Sequence, residues 1–384
     1  MRIGFDARTL YGKQGGIGRY ATNLIKGLVS NYQENEYVLF RWKKNTIEED
    51  SALPGTYALR CAIAERILPH LPVAPEFCWS QLLLPIDLAR RPVDLFHGLD
   101  QYIPLGWSGK SVVTIHDLSY KFFRDDFALK TRIKNHIVIP LACKRAKAVI
   151  VDSHFTANDL VTSLGVPKAK IHVIYLAVDE QFHVLDSLSE SFLEDLKTVY
   201  GVQRPFILSV GDLRPRKNLL RLFQAFTRLI SMEEFSGIQL AIVGKPLWGI
   251  SNLAKYVRDF GLESRIRFLG YVSDYLLPQL YNAASLFVQP SLYEGFGFSA
   301  LEALACGVPT AVSNVSSLPE VCSDGAFYFD PRSVEEITNA MFTVLTNGSL
   351  NQKLRHTGPK RAKMFSWDRT ARETYAIYEK VFQG

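Results

Sequence analysis

The chain has 384 residues, 47% of them hydrophobic and 21% charged, a globular composition too long for one ordinary core, so two domains are expected. Its net charge of +6 is uneven: residues 1–185 hold 23 Lys/Arg against 18 Asp/Glu, an excess that no single nucleic-acid motif concentrates, so nucleic acid is not an expected partner. No apolar run approaches the ~18 residues that span a bilayer, and MRIGFDAR reads as a strand, not a signal peptide.

Taken in chain order, short apolar runs alternate with longer helical patterns, as in α/β units built on parallel sheets. Arg2–Asp6 is the first expected strand. The glycines that follow, Gly12, Gly15, Gly16 and Gly18, miss the G-x-G-x-x-G spacing of a dinucleotide fingerprint. They read either as a plain strand–helix turn or as backbone that comes close to phosphates at Gly15 and Gly16, with Arg19 adding charge. Strands are then expected at Tyr37–Phe40, Leu95–His97, Val112–His116, Ala148–Asp152 and Ile171–Tyr175. A polar stretch, VDEQFHVLDSLSESF, loses strand patterning. A second series follows at Phe206–Val210, Gln239–Val243, Arg267–Leu269, Leu286–Gln289, Thr310–Val312 and Phe327–Phe329. Two such series imply two Rossmann-like domains, 1–183 and 184–366, with ligands beyond the carboxyl ends of their strands in a cleft. A tail helix, 367–384, could finish the second domain or cross back to the first. Five cysteines form no C-x-x-C pair, which fits a reducing, cytoplasmic compartment and gives no zinc ribbon.

Three stretches carry chemistry. In Tyr293–Ser313, YEGFGFSALEALACGVPTAVS, Gly295 and Gly297 lead into a helix whose first N–H groups, around Phe298 to Ala300, form an anion site. Glu294 and Glu302 would repel an anion there unless they hold neutral hydroxyls, such as those of a sugar or ribose; Glu302 also reads as an ordinary helix acid. Past the strand Phe206–Val210 come Gly211-Asp-Leu-Arg-Pro-Arg-Lys-Asn218. Arg offers phosphate a planar fork and Lys a mobile point charge. A unit charge about 4 Å from a phosphate is worth roughly 4 kcal/mol at an effective dielectric of 20. No D-x-D pair is available to chelate a metal, so metal-independent stabilisation of a diphosphate is expected, with no cofactor. Finally, His116 reads either as structural, bonded to Asp117, or as functional at a cleft mouth.

Glu294 and Glu302 in E-x7-E spacing, Arg216-Lys217, Gly15-Gly16 and His116-Asp117 together resemble GT-B glycosyltransferases of retaining family 4, over essentially the whole chain. The PRKN wording is similar to mannosyltransferase-like members. The resemblance implies an α/β GT-B fold, two Rossmann-like domains facing a central cleft, the first for the acceptor and the second for the nucleotide-sugar donor. It also implies that Glu294 and the backbone at Phe296 and Gly297 hold donor-sugar hydroxyls, with Phe298 and Ser299 at the helix start. Glu302 would take the ribose, Arg216 and Lys217 the diphosphate, Gly211 the same loop, and the backbone near Val272 the base; His116 would lie beside the transferred sugar. One departure is Asp212, where many relatives carry Arg after the glycine; Arg214 and Arg216 are both available to supply that charge.

The expected reaction is transfer of a hexose, mannose from GDP-mannose by resemblance, to a glycan or lipid-linked acceptor in polysaccharide biosynthesis. Same-face attack assisted by the leaving phosphate is favoured, because no carboxylate pair is placed as acid and nucleophile. A UDP-sugar donor, a nucleotide-sugar epimerase, a phosphorylase-like enzyme and a non-catalytic sugar-nucleotide-binding protein are the competing readings. The basic first half adds an expected peripheral contact with an anionic membrane at the cytoplasmic face.

Overall fold

The computed structural model describes residues 1–10, 15–43, 61–67, 75–244 and 250–384. The chain divides into two compact units. Unit 1 comprises Met1–Lys121, Leu129–Leu176 and Ser366–Gly384; unit 2 comprises Phe122–Ala128 and Ala177–Phe365. The main division thus falls a little before the 183/184 boundary read from the sequence, and a short segment of the first half folds with unit 2.

Unit 1 is built on β1 (Arg2–Asp6), β2 (Glu36–Lys43), β3 (Cys61–Ile67), β4 (Leu95–Gly98), β5 (Lys110–Ile115), β6 (Ala148–Val151) and β7 (Ile171–Val173). These form a seven-stranded parallel sheet in the order β3-β2-β1-β4-β5-β6-β7. Unit 2 has β8 (Phe206–Val210), β9 (Gln239–Val243), β10 (Ile266–Gly270), β11 (Leu286–Gln289), β12 (Thr310–Ser313) and β13 (Phe327–Phe329). Their six-stranded parallel order is β10-β9-β8-β11-β12-β13. Strands such as FILSV and QLAIV are nearly unbroken apolar runs because helices cover both faces of a parallel sheet. In each sheet the strand order reverses once, beside β1 in unit 1 and beside β8 in unit 2. At such switch points the loops after neighbouring strands turn to opposite faces and leave a crevice.

The longer helices of unit 1 are α1 (Gly16–Asn31), α2 (Leu129–Arg145) and α3 (His154–Leu164). Those of unit 2 are α4 (Glu190–Thr198), α5 (Leu219–Ile230), α6 (Ile250–Asp259), α7 (Phe298–Ala305), α8 (Val334–Thr346) and α9 (Gly348–Ala362). The last, α10 (Trp367–Gln383), belongs to unit 1 and packs on α1. The Ser366 hydroxyl caps it by accepting from the Arg369 N–H at 3.2 Å. Gly27 of α1 permits the close approach, since a Cβ there would stand 2.7 Å from that of Ala371. Tyr375 stacks on Tyr32 with ring centroids 3.6 Å apart, and the buried Tyr378 hydroxyl meets His97 Nδ1 at 2.6 Å.

Candidate active site

The site in unit 2 grows from the switch point beside β8. The loop after β8 carries Gly211 to Asn218, and the loop after its neighbour β11 carries Pro290 to Gly297. Backbone bonds stitch the two together: the Leu292 N–H donates to the Arg216 carbonyl at 2.8 Å. Asn218 Nδ2 donates to the Pro290 carbonyl at 3.0 Å and to that of Pro331 at 2.7 Å. Asn218 itself adopts φ 59°, a left-handed conformation that asparagine tolerates better than most residues.

This stitching brings Arg216, Lys217 and Glu294 into one cluster. Lys217 Nζ donates to Glu294 Oε1 at 2.6 Å, and Arg216 Nη1 donates to Oε2 at 3.2 Å. Gln289 Nε2 and the Ser291 hydroxyl each donate to Oε1 at 2.6 Å. Burial opposes ionisation of Glu294, but Lys217 and then Arg216 outweigh it, so its pKa falls to about 2. The carboxylate is therefore ionised and fixed at every ordinary pH.

The cations are not left uncompensated. Arg216 Nε lies 3.3 Å from a carboxylate oxygen of Asp126, whose side chain is fully buried, and its N–H donates to the other at 3.3 Å. Arg214 pairs with Asp212 at 2.8 Å, stacks over Phe127 at 5.2 Å, and donates to the Asp126 carbonyl at 3.3 Å. Three cations thus meet three acids. Arg216 shares Glu294 with Lys217 and also reaches Asp212 at 4.0 Å, while Arg214 pairs with Asp212 and lies over Phe127.

Glycines shape the same crevice. Gly211 has φ 154°, and a Cβ on it would come within 3.3 Å of the Lys217 ammonium. Gly297, at φ 101°, caps α7, and a Cβ there would press to 2.7 Å on Leu318. No side chain caps α7, so the N–H groups of Phe298 and Ser299 head the helix dipole. Phe296 is buried against Phe298 and Phe365, with ring centroids 5.6 and 5.9 Å away. Glu302, one turn into α7, is buried and accepts the Tyr281 hydroxyl at 2.8 Å. The Val272 side chain is buried in the loop after β10.

In unit 1, Gly15 caps α1 without a side-chain bond, and a Cβ on it would meet nothing within 4 Å. Gly16 opens the helix; Gly12 lies outside the described residues. His116 departs from the expected pairing with Asp117. Its Nδ1 faces Asp152 at 2.7 Å and its Nε2 faces the Leu99 carbonyl at 2.9 Å. The reason is register: Ile115 of β5 pairs with Val151 of β6, so the next residue on each strand, His116 and Asp152, are neighbours. Asp117 instead closes a turn, accepting from the Ser119 N–H at 2.8 Å and hydroxyl at 2.6 Å. Burial lowers the affinity of His116 for its second proton, but Asp152, then Asp100 and the Leu99 carbonyl, raise the pKa to about 9. Both ring nitrogens of His116 therefore have partners within unit 1.

Asp126, Asp152, Gln289 and Ser291 were not singled out by sequence, nor was Gly244, which crosses β8's end so closely that a Cβ would lie 1.7 Å from the Gly211 carbonyl. For Gly244 the available signal was position: like Gly211, it follows a buried strand. Asp152 had one too, as a polar residue ending the strand beside His116.

Solved structures define the class first. Sucrose-phosphate synthase from Thermosynechococcus elongatus superposes with a TM-score of 0.78 at 20% identity, covering 100% of this chain and 99% of its own. Anabaena HepE in complex with UDP and glucose gives 0.74 at 20% identity, over 99% and 100%. The fold is GT-B. Residues 14–182 match the Glycosyltransferase Family 4 model and residues 196–361 the model of glycosyl transferases group 1. O-antigen chain mannosyltransferase B of Escherichia coli is 31% identical over 99% of this chain and 100% of its own length. Mannosylfructose-phosphate synthase of Agrobacterium fabrum is 28% identical over 71% and 61%. The chain belongs to glycosyltransferase family 4.

Proposed function

We propose that this glycosyltransferase moves mannose from GDP-mannose, with retention and without a metal, to a glycan or lipid-linked acceptor in surface-polysaccharide synthesis. The observation that carries the reading is the shared grip of Arg216 and Lys217 on Glu294, beside an uncapped helix start. The sugar and the acceptor class follow the mannosyltransferase relatives.

An arriving diphosphate takes over Arg216 and Lys217, with the α7 N–H groups behind them. Glu294, still held by Gln289 and Ser291, turns its freed acceptor capacity to a sugar hydroxyl. Charge then grows on the bridging oxygen as the anomeric C–O bond breaks, and preorganised cations stabilise it without reorganising. The acceptor oxygen bonds to the same face of the anomeric carbon, and its proton passes to the departing phosphate. Glu302 holds the ribose, and the backbone at Phe296, Gly297 and Val272 completes the donor pocket. The acceptor is met at the cytoplasmic face of an anionic membrane.

A panel of GDP- and UDP-sugars tests this, with nucleotide release, product anomer by NMR, and added chelator as readouts. GDP-mannose turnover that needs an acceptor, keeps the anomer and survives chelation is expected. An inverted product, or sugar interconversion without an acceptor, overturns the reading.

A further inference from the structure

Helix α2 of unit 1 is apolar on two faces. Asn135, Val138, Ile139 and Ala142, at i, i+3, i+4 and i+7, are buried and face the sheet. A second stripe, Leu129, Ile133, Ile137 and Leu141, is exposed at 65, 53, 55 and 43%. These four aliphatic side chains, one turn apart, run about 18 Å along the helix. Scattered exposed leucines need no explanation, but an unbroken row of them does.

Charge says what the row meets. From Phe127 to Val151 the chain holds six Lys/Arg and no Asp or Glu. Lys130, Lys144 and Lys147 are exposed, and Lys134 lies over the Tyr102 ring at 4.7 Å. Past the stripe's C-terminal end lies an open depression of about 650 Å³, lined by Leu105, Leu141, Lys144, Arg145, Lys147 and Lys170. Arg145 donates to the Trp107 carbonyl and Lys170 to the carbonyls of Cys143 and Lys144, which fixes both; Lys144 and Lys147 are presented to solvent. A second copy of this chain docked face to face would set these cations against themselves. An anionic bilayer satisfies both halves of the pattern: aliphatic side chains enter the acyl boundary while long lysine stems reach up to headgroup phosphates.

We infer that α2 lies in the surface of an anionic membrane, with Leu129, Ile133, Ile137 and Leu141 inserted and the depression beside Leu141 receiving a lipid phosphate. The inference rests on the reading that the acceptor is met at a membrane, and it names the surface that does so.

Co-sedimentation of the full chain with vesicles tests it, using phosphatidylcholine alone or mixed with phosphatidylglycerol. Binding is expected only with the mixed vesicles, and to fall as salt rises. Ile133→Ser with Ile137→Ser should weaken it by about tenfold or more with an unchanged melting temperature, since both side chains are exposed. Each cation near an anionic surface is worth about fivefold, so Lys130→Ala, Lys144→Ala and Lys147→Ala together should weaken it roughly a hundredfold. Ile137→Trp should show blue-shifted fluorescence quenched by acyl-brominated lipid. No binding to the mixed vesicles at low salt, or binding indifferent to the double serine variant, overturns the inference. So does a concentration-dependent dimer that the serine variant abolishes, which would give the face to a second copy. Binding of GDP-mannose by thermal shift, measured in parallel without vesicles, separates this from the donor site: no shift in any protein, with vesicle binding intact, refutes the donor reading and leaves the surface standing.

Discussion

Lys217→Met removes a charge and keeps the stem that packs beside Gly211. The fall in the Glu294 pKa from an ordinary 4.5 to about 2 corresponds to about 3 kcal/mol in favour of its ionised form, with Lys217 the larger contributor among the cations. Both side chains are largely buried, so solvent screens little of this. Without Lys217, Arg216 is the cation left to Glu294, beside the neutral donors Gln289 and Ser291, and we expect a loss of about 2 kcal/mol of stability at neutral pH. Glu294→Gln added to Lys217→Met removes the stranded carboxylate and should return at least about 1 kcal/mol. The sign in pH follows from a depressed pKa. In the native protein this contribution is full above about 4.5 and is lost as pH falls towards 2, so Lys217→Met should flatten that acid limb. Catalysis behaves differently. A cation lost from the leaving group should lower kcat/KM about a hundredfold in both the single and the double variant. Urea unfolding across pH, with nucleotide release from GDP-mannose, reads out both effects. If Glu294→Gln restored no stability, Glu294 would not depend on Lys217. If the double variant turned over normally, the assignment of Lys217 to the diphosphate would be wrong.

Asp126→Asn should loosen Arg216 without touching donor itself: KM for the donor rises roughly tenfold, kcat changes less, and Asp126→Glu recovers part of the loss. Gly297→Ala combines a positive φ with a contact on Leu318, and should cost about 1–3 kcal/mol by thermal melt as well as most activity. Asp152→Asn should drop the His116 pKa from about 9. Stability from the raised His116 pKa is greatest below about 6.5 while Asp152 stays ionised and fades as pH rises through 9; burial pushes the Asp152 pKa up, so the contribution also declines on the acid side, and the variant should lose stability at pH 6 and show little further alkaline decline.

Strand positions were legible because buried parallel strands are apolar runs of fixed length, and the glycine-rich helix start was legible because few backbones need Gly295 and Gly297 together. The strand Cys61–Ile67 was not: it is an edge strand containing Glu65 and Arg66, and an edge need not be apolar throughout. In the donor cluster Arg216, Lys217 and Glu294 were visible, because each sits in a short loop of unusual composition just past a strand; the acid behind Arg216 was not. Asp126 lies some 90 residues before Arg216 in a stretch without a motif, and only the tertiary fold places Phe122–Ala128 with unit 2. His116 was found, but its partner was set by the register of β5 on β6, which no run of adjacent residues encodes.

The seating of α10 on unit 1 bears on how the protein is made. The helix that covers His97 with Tyr378 follows all of unit 2 in the chain, so on the ribosome the first sheet waits for it while the second is completed. During that interval the nascent chain exposes α1 and a histidine that holds Thr114 but still lacks Tyr378, and this is when a chaperone would find the most to hold. A fragment ending at residue 176 would keep that unfinished state permanently, however complete its strands.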